Sequence, residues 1–237
     1  MRLITWNCQG AFRKKADFIL KLCPDILVVQ ECEHTDKLKF PPMTPKPNDF
    51  YWYGDVGKKG IGLFSYSEYK FELLSVFNPE FRYVIPFRVK GNGHSFTFFV
   101  IWAMNNKENR DARFIGQVWF AINQYNDLLG NSTILIGDFN SNSIWDYKDR
   151  VATHSDVVSK LAEKDIHSVY HKHFDIGQGQ EKHPTFYMYR KKEKPYHIDY
   201  CFVSADLLGK VKEVKIGDYD TWSAQSDHVP LNIKFDI

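Results

Sequence analysis

Several apolar runs in this chain end in a polar side chain that strand formation does not need. Asn7 follows Trp6, and Glu31 follows Val29-Gln30. Gly137-Asp138-Phe139-Asn140 follows Thr133-Ile134-Leu135-Ile136. Asp199 lies inside His197-Ile198-Asp199-Tyr200-Cys201-Phe202, where a buried charge is costly unless paired or ligated. Asp227-His228 precedes Val229-Pro230-Leu231. Each has a structural alternative. Asn7 could cap a turn, Glu31 could pair with a lysine, and Gly137-Asp138 or Asp227 could be simple turn residues. If they share one sheet edge, however, the chemistry is narrow. Carboxylates with amides and one histidine are oxygen-rich ligation, suited to Mg²⁺ or Mn²⁺ rather than zinc or iron. A metal polarising phosphorus, a carboxylate taking a proton from water and a histidine stabilising developing charge together describe phosphoester hydrolysis. The chain has no Walker loop, Gly-x-Ser-x-Gly elbow or His-Glu-x-x-His pair to support another chemistry.

The elements that must position these residues can be traced along the chain. Arg2 to Asn7 reads as a short strand. Phe12, Ala16, Ile19, Leu20 and Cys23 recur at helical spacing, and Pro24 stops that helix. Asp25 to Glu31 is an apolar run ending in a carboxylate, which suits a fully buried strand. Strand, helix, strand is the usual start of a layered α/β fold. A proline-rich loop runs from Pro41 to Pro47, and short strands are expected at Tyr51 to Tyr53 and Gly60 to Phe64. Three β-rich runs follow, Tyr69 to Phe77, Arg82 to Val89 and Ser95 to Met104, with Gly91-Asn92-Gly93 as a hairpin signal. Phe96 to Ala103 is apolar on both faces and belongs centrally. Phe114 to Leu129 carries an amphipathic stripe and is expected as the longest helix, ending at Gly130. Asp138 and Asn140 then sit two apart at a strand end, which predicts one shared side of the pleat. Ser155 is a candidate N-cap for a helix over Asp156 to Lys164. Further strands are expected at Pro184 to Arg190, His197 to Val203, Val211 to Ile216 and Val229 to Phe235, with a short helix at Ala205 to Lys210.

At 237 residues, with no linker, low-complexity block or internal repeat, residues 1–237 are expected to form a single domain. An apolar fraction of 43% and an aromatic fraction of 16% suffice for a sizeable core. A formal charge of +2 neither demands nor excludes nucleic acid, because a local basic surface can exist on a nearly neutral protein. The basic clusters are Lys58-Lys59 and Arg190-Lys191-Lys192 with Lys194, each read by default as a solvated loop. Cys8, Cys23, Cys32 and Cys201 lack Cys-x-x-Cys spacing and are expected as free thiols, most of them buried. Neither a signal-peptide pattern nor a bilayer-length apolar run is seen, so a soluble, cytoplasmic protein without membrane attachment is expected.

Taken in order, Thr5-Trp6-Asn7, Val29-Gln30-Glu31, Gly137-Asp138-Phe139-Asn140, Ile198-Asp199-Tyr200 and Ser226-Asp227-His228 closely resemble the motifs of the exonuclease–endonuclease–phosphatase superfamily. Each is short, but together they run from residue 5 to residue 228 and cover nearly the whole chain. The resemblance implies an α/β (α+β) fold, a four-layer sandwich of two packed mixed β-sheets flanked by helices, with the site at one end of the sheets. It implies Glu31 as principal metal ligand with Asn7 beside it, and Asp138 as the water-activating carboxylate with Asn140 as its orienting partner. His228 would contact the scissile phosphate. Asp227 would orient its ring or join the metal shell, and Asp199 would take an orienting or metal role. One departure stands out. Where many relatives carry a His or Tyr that helps protonate the leaving oxygen, this chain has Met104-Asn105. Asn105 could donate a hydrogen bond, and His183 and His154 are candidates to replace the acid.

The expected activity is divalent-metal-dependent hydrolysis of phosphodiester bonds, with DNA or RNA as the first substrate class. The basic residues near Arg190 and the aromatics Tyr51, Trp52, Tyr53, Tyr187 and Tyr189 could contact a nucleic acid, although such aromatics could equally pack the sheets. A phosphatase or phosphodiesterase acting on a small or lipid phosphoester is the alternative within the class. A binding module that kept the scaffold and lost turnover is the alternative outside it.

Overall fold

A computed structural model describes residues 1–55 and 57–237. In chain order the strands are β1 (Arg2–Asn7), β2 (Ile26–Glu33), β3 (Asp49–Gly54), β4 (Lys59–Ser65), β5 (Lys70–Leu73), β6 (Val84–Gly91) and β7 (His94–Trp102). They continue with β8 (Thr133–Asp138), β9 (Ile166–Ser168), β10 (Phe186–Tyr187), β11 (Pro195–Tyr196), β12 (Asp199–Ser204), β13 (Val211–Ile216) and β14 (Leu231–Phe235). The helices are α1 (Ala16–Leu20), α2 (Ile115–Gln124), α3 (His154–Ala162), α4 (Val169–Phe174), α5 (Ala205–Leu208) and α6 (Tyr219–Trp222).

Two six-stranded sheets result, ordered β13-β14-β1-β2-β4-β3 and β5-β6-β7-β8-β12-β9. Both are mixed. β1 runs parallel to β2 through the α1 crossover, and β7 runs parallel to β8 through α2, while the other pairs are antiparallel. Period-two alternation builds the layers. Leu3, Val28, Phe98, Val100 and Ile136 face the interior between the sheets. Their neighbours Ile4, Leu27 and Val29 pack outward with Phe12, Ile19 and Trp222. On the second sheet Phe99, Ile101 and Leu135 pack outward against Val118 and Ile122 of α2 and Val157 and Leu161 of α3. This is the expected sandwich of two sheets between helical layers, and the β7 run is central, as its two-sided hydrophobicity requires.

Local differences from the sequence reading have identifiable causes. The stretch expected as one helix from Phe12 splits into a 3₁₀ turn, Phe12–Lys14, and α1. The long amphipathic helix stops at Gln124 and tightens to 3₁₀ over Asn126–Leu128, although Leu129 still reaches the core. Thr153, not Ser155, caps α3. Thr153 and Asp156 make a reciprocal capping box, whereas three residues beyond Ser155 lies Val158, which cannot complete one. Only Lys70–Leu73 of the Tyr69 to Phe77 run is strand. The run from Pro184 yields a two-residue strand and then a turn in which Tyr189 and Arg190 have φ of 58° and 56°. β9, α4 and α6 carry no periodicity long enough to have marked them. Cys8, Cys32 and Cys201 are buried free thiols, and Cys23 is exposed.

Candidate active site

β1, β2 and β8 end at the same edge of the sandwich, and β12 begins there. Asp199 opens β12 directly opposite Asp138, the last residue of β8. Asn7 closes β1 beside Gln30 of β2. The two sheets are tied at this point. Gln30 Nε2 donates to Thr5 Oγ1 at 2.9 Å and to Ile101 O of the other sheet at 3.3 Å. Gly137 is needed for this approach, since a Cβ there would meet Ile101 O at 1.9 Å. The segment bearing His228 is pinned to β1: Ser226 Oγ donates to Asn7 O at 2.7 Å, and Trp6 Nε1 to His228 O at 3.0 Å.

Side chains from both sheets meet here. Asn7 Nδ2 donates to Asp138 Oδ2 at 3.0 Å and to Glu31 Oε1 at 3.3 Å. Asn140 donates twice to Asp138, from its backbone N–H to Oδ1 at 2.9 Å and from Nδ2 to Oδ2 at 3.1 Å. This corrects the shared-pleat expectation. Asn140 lies past the strand end with φ of 46°, and its amide turns back onto Asp138 while also bonding Ala103 O. His228 Nδ1 bonds Asp199 Oδ2 at 2.9 Å, and its Nε2 stands 3.9 Å from Asp138 Oδ2. Asp199 is therefore the residue that orients the ring. Asp227 instead accepts from Gln9 Nε2 at 2.8 Å, and Arg190 Nε donates to Gln9 Oε1 at 3.0 Å. Glu31 projects from a β-bulge with φ of 56° and is ion-paired with Lys59. Gln9, Glu31 and Asn140 at this edge have left-handed backbone, as do ten other non-glycine residues among those described.

Burial pushes the Asp138 carboxyl up to about 7, against the opposing pull of His228. Burial alone would lower His228, but the carboxylates of Asp199 and Asp138 outweigh it and hold the imidazolium up, at about 10. Ligand atoms of Asp138, Asp199 and His228 lie within 4.8 Å of one another, so this acidic group could hold a metal ion. Asp199 Oδ1 is buried without a hydrogen-bond partner, an acceptor in need of a cation or donor.

Other expected residues lie elsewhere. His183 bonds Tyr170 OH through Nδ1 at 2.8 Å and packs on Phe174, so it does not reach the cluster. Met104 packs against the inter-sheet core. Asn105 lines a cavity of about 290 Å³ with Arg110, Arg113 and Arg150. His154 lines an adjoining cavity of about 360 Å³, walled by Phe114, Trp145, Phe186, Met188 and Ile198 and opening beside Asn140. Tyr51 and Tyr53 pack between the sheets against Phe87 and Tyr83, and Tyr187 is buried, but Tyr189 is 75% exposed. Sequence reasoning missed Lys59 and Gln9. Their roles depend on strand pairing and on a turn, which no motif announces. It also missed the aromatic cavity, whose walls come from distant segments.

A carboxylate held by two amides and a histidine held by a second carboxylate thus meet at one edge of a two-sheet sandwich. The chain belongs to the Endonuclease/Exonuclease/phosphatase family, whose model matches residues 4–228. It is an enzyme of the phosphoesterase class. Among solved structures it is similar to an AP endonuclease from Archaeoglobus fulgidus, with TM-score 0.71 and 19% identity over 100% of both chains. It is also similar to NExo from Neisseria, described as a 3′ phosphatase bound to a product DNA hairpin, with TM-score 0.69 and 19% identity over 100% of both chains. A third is the endonuclease domain of the retrotransposon TRAS1, with TM-score 0.66 and 16% identity over 99% of this chain and 97% of that one. No curated protein matches the sequence. Among the described residues no helix is long and apolar enough to cross a membrane.

Proposed function

We propose that this protein is a divalent-metal-dependent nuclease that hydrolyses phosphodiester bonds of DNA or RNA, with residues 1–237 as one catalytic domain. The observation that carries the reading is the pairing of Asp138, held by Asn7 and Asn140, with a His228 imidazolium held by Asp199. Asp138 accepts the proton of the attacking water. Its raised pKa, near 7, suits a general base working near neutrality. Asn140 and Asn7 fix the carboxylate so that one lone pair faces the water. The 3.9 Å separation of Asp138 Oδ2 and His228 Nε2 is too wide for a hydrogen bond, and an oxygen lying to one side of that line can contact both. His228 there donates to a phosphoryl oxygen as negative charge develops. Asp199 keeps the ring charged and aimed.

Glu31, Asn7 and Asp227 would hold the metal, Mg²⁺ or Mn²⁺, which supplies Lewis-acid polarisation of the phosphate. All three offer the hard oxygen donors such an ion prefers, and Glu31 already carries a cation partner; Asn7 Oδ1 and Asp227 would first have to release Gln9. The aromatic cavity beside Asn140 suits a sugar or base, which favours nucleic acid over a small ester. The cavity that shares its walls Phe114 and Arg150 is mixed in charge, with Asp111 and an Arg110–Asp149 ion pair beside Arg113 and Arg150. Exposed Tyr189 and the Arg190 loop add a stacking and charged rim. The test is a substrate panel: single- and double-stranded DNA, abasic DNA, RNA and small phosphoesters, each with Mg²⁺, Mn²⁺ or chelator. Cleavage of nucleic acid that chelator abolishes and Mn²⁺ restores is expected. Turnover of small esters alone, or turnover indifferent to chelator, would overturn the reading.

A further inference from the structure

Lys59 is the first residue of β4, read from sequence as part of a solvated loop. Its ammonium instead sits on Oε2 of Glu31. The other oxygen of Glu31 accepts from Asn7, which also donates to Asp138, so the ammonium is three contacts from the proposed base. Two backbone features make the approach possible. The bulge between Gln30 and Cys32 delivers Glu31 to the rim, and β4 sets Lys59 opposite Glu33. The lysine stem also crosses Gly10, where a Cβ would stand 3.0 Å from Lys59 Cε. Neighbouring cations are engaged elsewhere: Arg13 with Glu33, Lys58 with Asp55, and Lys15 with Cys8 O. The Lys59 side chain is 47% exposed and that of Glu31 is 24% exposed. A pair this open to water is weak and yields readily to a divalent cation.

We propose that Lys59 is a tethered cation that occupies Glu31 while the metal is absent, is displaced when the metal arrives, and then binds a phosphate oxygen of the substrate. This rests on the metal-dependent reading above. While paired, Lys59 offsets the charge that would otherwise drive Glu31 away from Asp138 and Asp199. Displaced, its ammonium remains at the rim of the same site beside Lys15, which feels the charges of both Lys59 and Arg190, and adds to a positive flank that attracts a polyanion. A phosphate-bearing substrate thus draws Lys59 off Glu31 and favours metal loading, which couples the two events.

The experiment measures Mn²⁺ binding to the substrate-free protein by electron paramagnetic resonance, for the parent, Lys59→Met and Lys59→Arg. Lys59→Met is expected to bind Mn²⁺ about three- to fivefold tighter, since a competing charge is removed, with Lys59→Arg close to the parent. Steady-state assays on an oligonucleotide are expected to show KM raised several-fold in Lys59→Met, with kcat changed less. A merely structural lysine would leave Mn²⁺ affinity unmoved. An affinity within twofold of the parent overturns the proposal while leaving the metal reading intact. Tighter Mn²⁺ binding with unchanged KM overturns the phosphate half. Failure of both parent and variant to bind Mn²⁺ overturns the metal reading and the proposal with it.

Discussion

Two buried polar clusters lie on either side of the Asn140-Ser141-Asn142 loop, and they handle histidine in opposite ways. On one side His228 is held charged, at about 10, by Asp199 and Asp138. On the other, burial lowers His154 and His197 to about 4, so both are neutral at pH 7. The second cluster is closely bonded apart from His197 Nε2, which is buried without a partner. Ser141 Oγ meets His154 Nδ1 at 2.8 Å, and Gln178 bridges His154 to His171. His171 Nε2 meets Glu181 Oε1 at 2.9 Å, and Asn142 joins Glu181 to Tyr200. The first cluster carries an unpartnered carboxylate oxygen and a long His–Asp gap. Polar groups that satisfy one another build a support. Polar groups kept short of partners are poised for something that arrives.

The contrast breaks most sharply under substitution. Asp138→Asn and His228→Ala are each expected to lower kcat on the preferred substrate by about 10³-fold or more, because each removes a group that acts on the reacting atoms. Circular dichroism should show the fold retained. Residual turnover within tenfold of the parent in either variant would mean that this cluster is not the chemical centre. In the other cluster Glu181→Ala is expected to cost about 3 kcal/mol of stability, since it leaves buried His171 Nε2 without its carboxylate partner, although Asn142 keeps His197 O and Tyr200 OH. The folded fraction should keep kcat within several-fold. Urea titration with activity measured on the same samples separates the two effects. An undamaged melting curve with abolished turnover would reverse the roles assigned to the clusters.

The clusters also respond oppositely to pH. The folded pKa values of His154 and His197 lie below the ordinary 6.5, so the unfolded chain takes up protons first. Their contribution is intact above 6.5 and is lost as pH falls toward 4, at about 1.4 kcal/mol per pH unit for each histidine. The folded pKa of His228 is raised, so its contribution is full below 6.5 and disappears as pH climbs through 10. Between pH 6.5 and pH 4.5 unfolding free energies should therefore carry a fall from these two histidines, partly offset by Asp138, whose raised pKa of about 7 gains stability as pH drops. Replacing His197 with Phe should flatten that fall. An unchanged slope in His197→Phe would show that this ring titrates freely in the fold.

Much of the catalytic edge was legible because its residues sit at strand ends, where an apolar run makes the next polar side chain conspicuous. Asn7, Glu31, Asp138, Asn140, Asp199 and His228 carried that signal, and they meet. Lys59 did not, because a lysine before a glycine looks like any exposed loop until β4 is paired with β2. The support cluster was equally hidden. His171, Glu181 and Asn142 come from a short helix, a loop and a 3₁₀ cap, with no shared period. His183 misled in the other direction, since a histidine before a proline near a strand suggested the site, while Tyr170 claims its ring.

His154 stands on the boundary and gives the smallest expected effect. It lines the aromatic cavity beside Asn140, yet both of its ring nitrogens are engaged within the support cluster. A ring held neutral to about pH 4 carries no imidazolium proton to give a leaving oxygen at neutral pH. Its contribution should therefore be to fix Ser141, and through the chain Asn140. Replacement by Asn preserves one polar contact and removes the rest of the ring. His154→Asn is expected to lower stability by about 1–2 kcal/mol and kcat by only a few-fold, with the shape of the pH–rate profile kept. Loss of the acidic or basic limb of that profile, or a hundredfold fall in kcat, would move His154 across the loop into the catalytic cluster. The replacement for the acid missing at Met104 would then be found on the cavity wall.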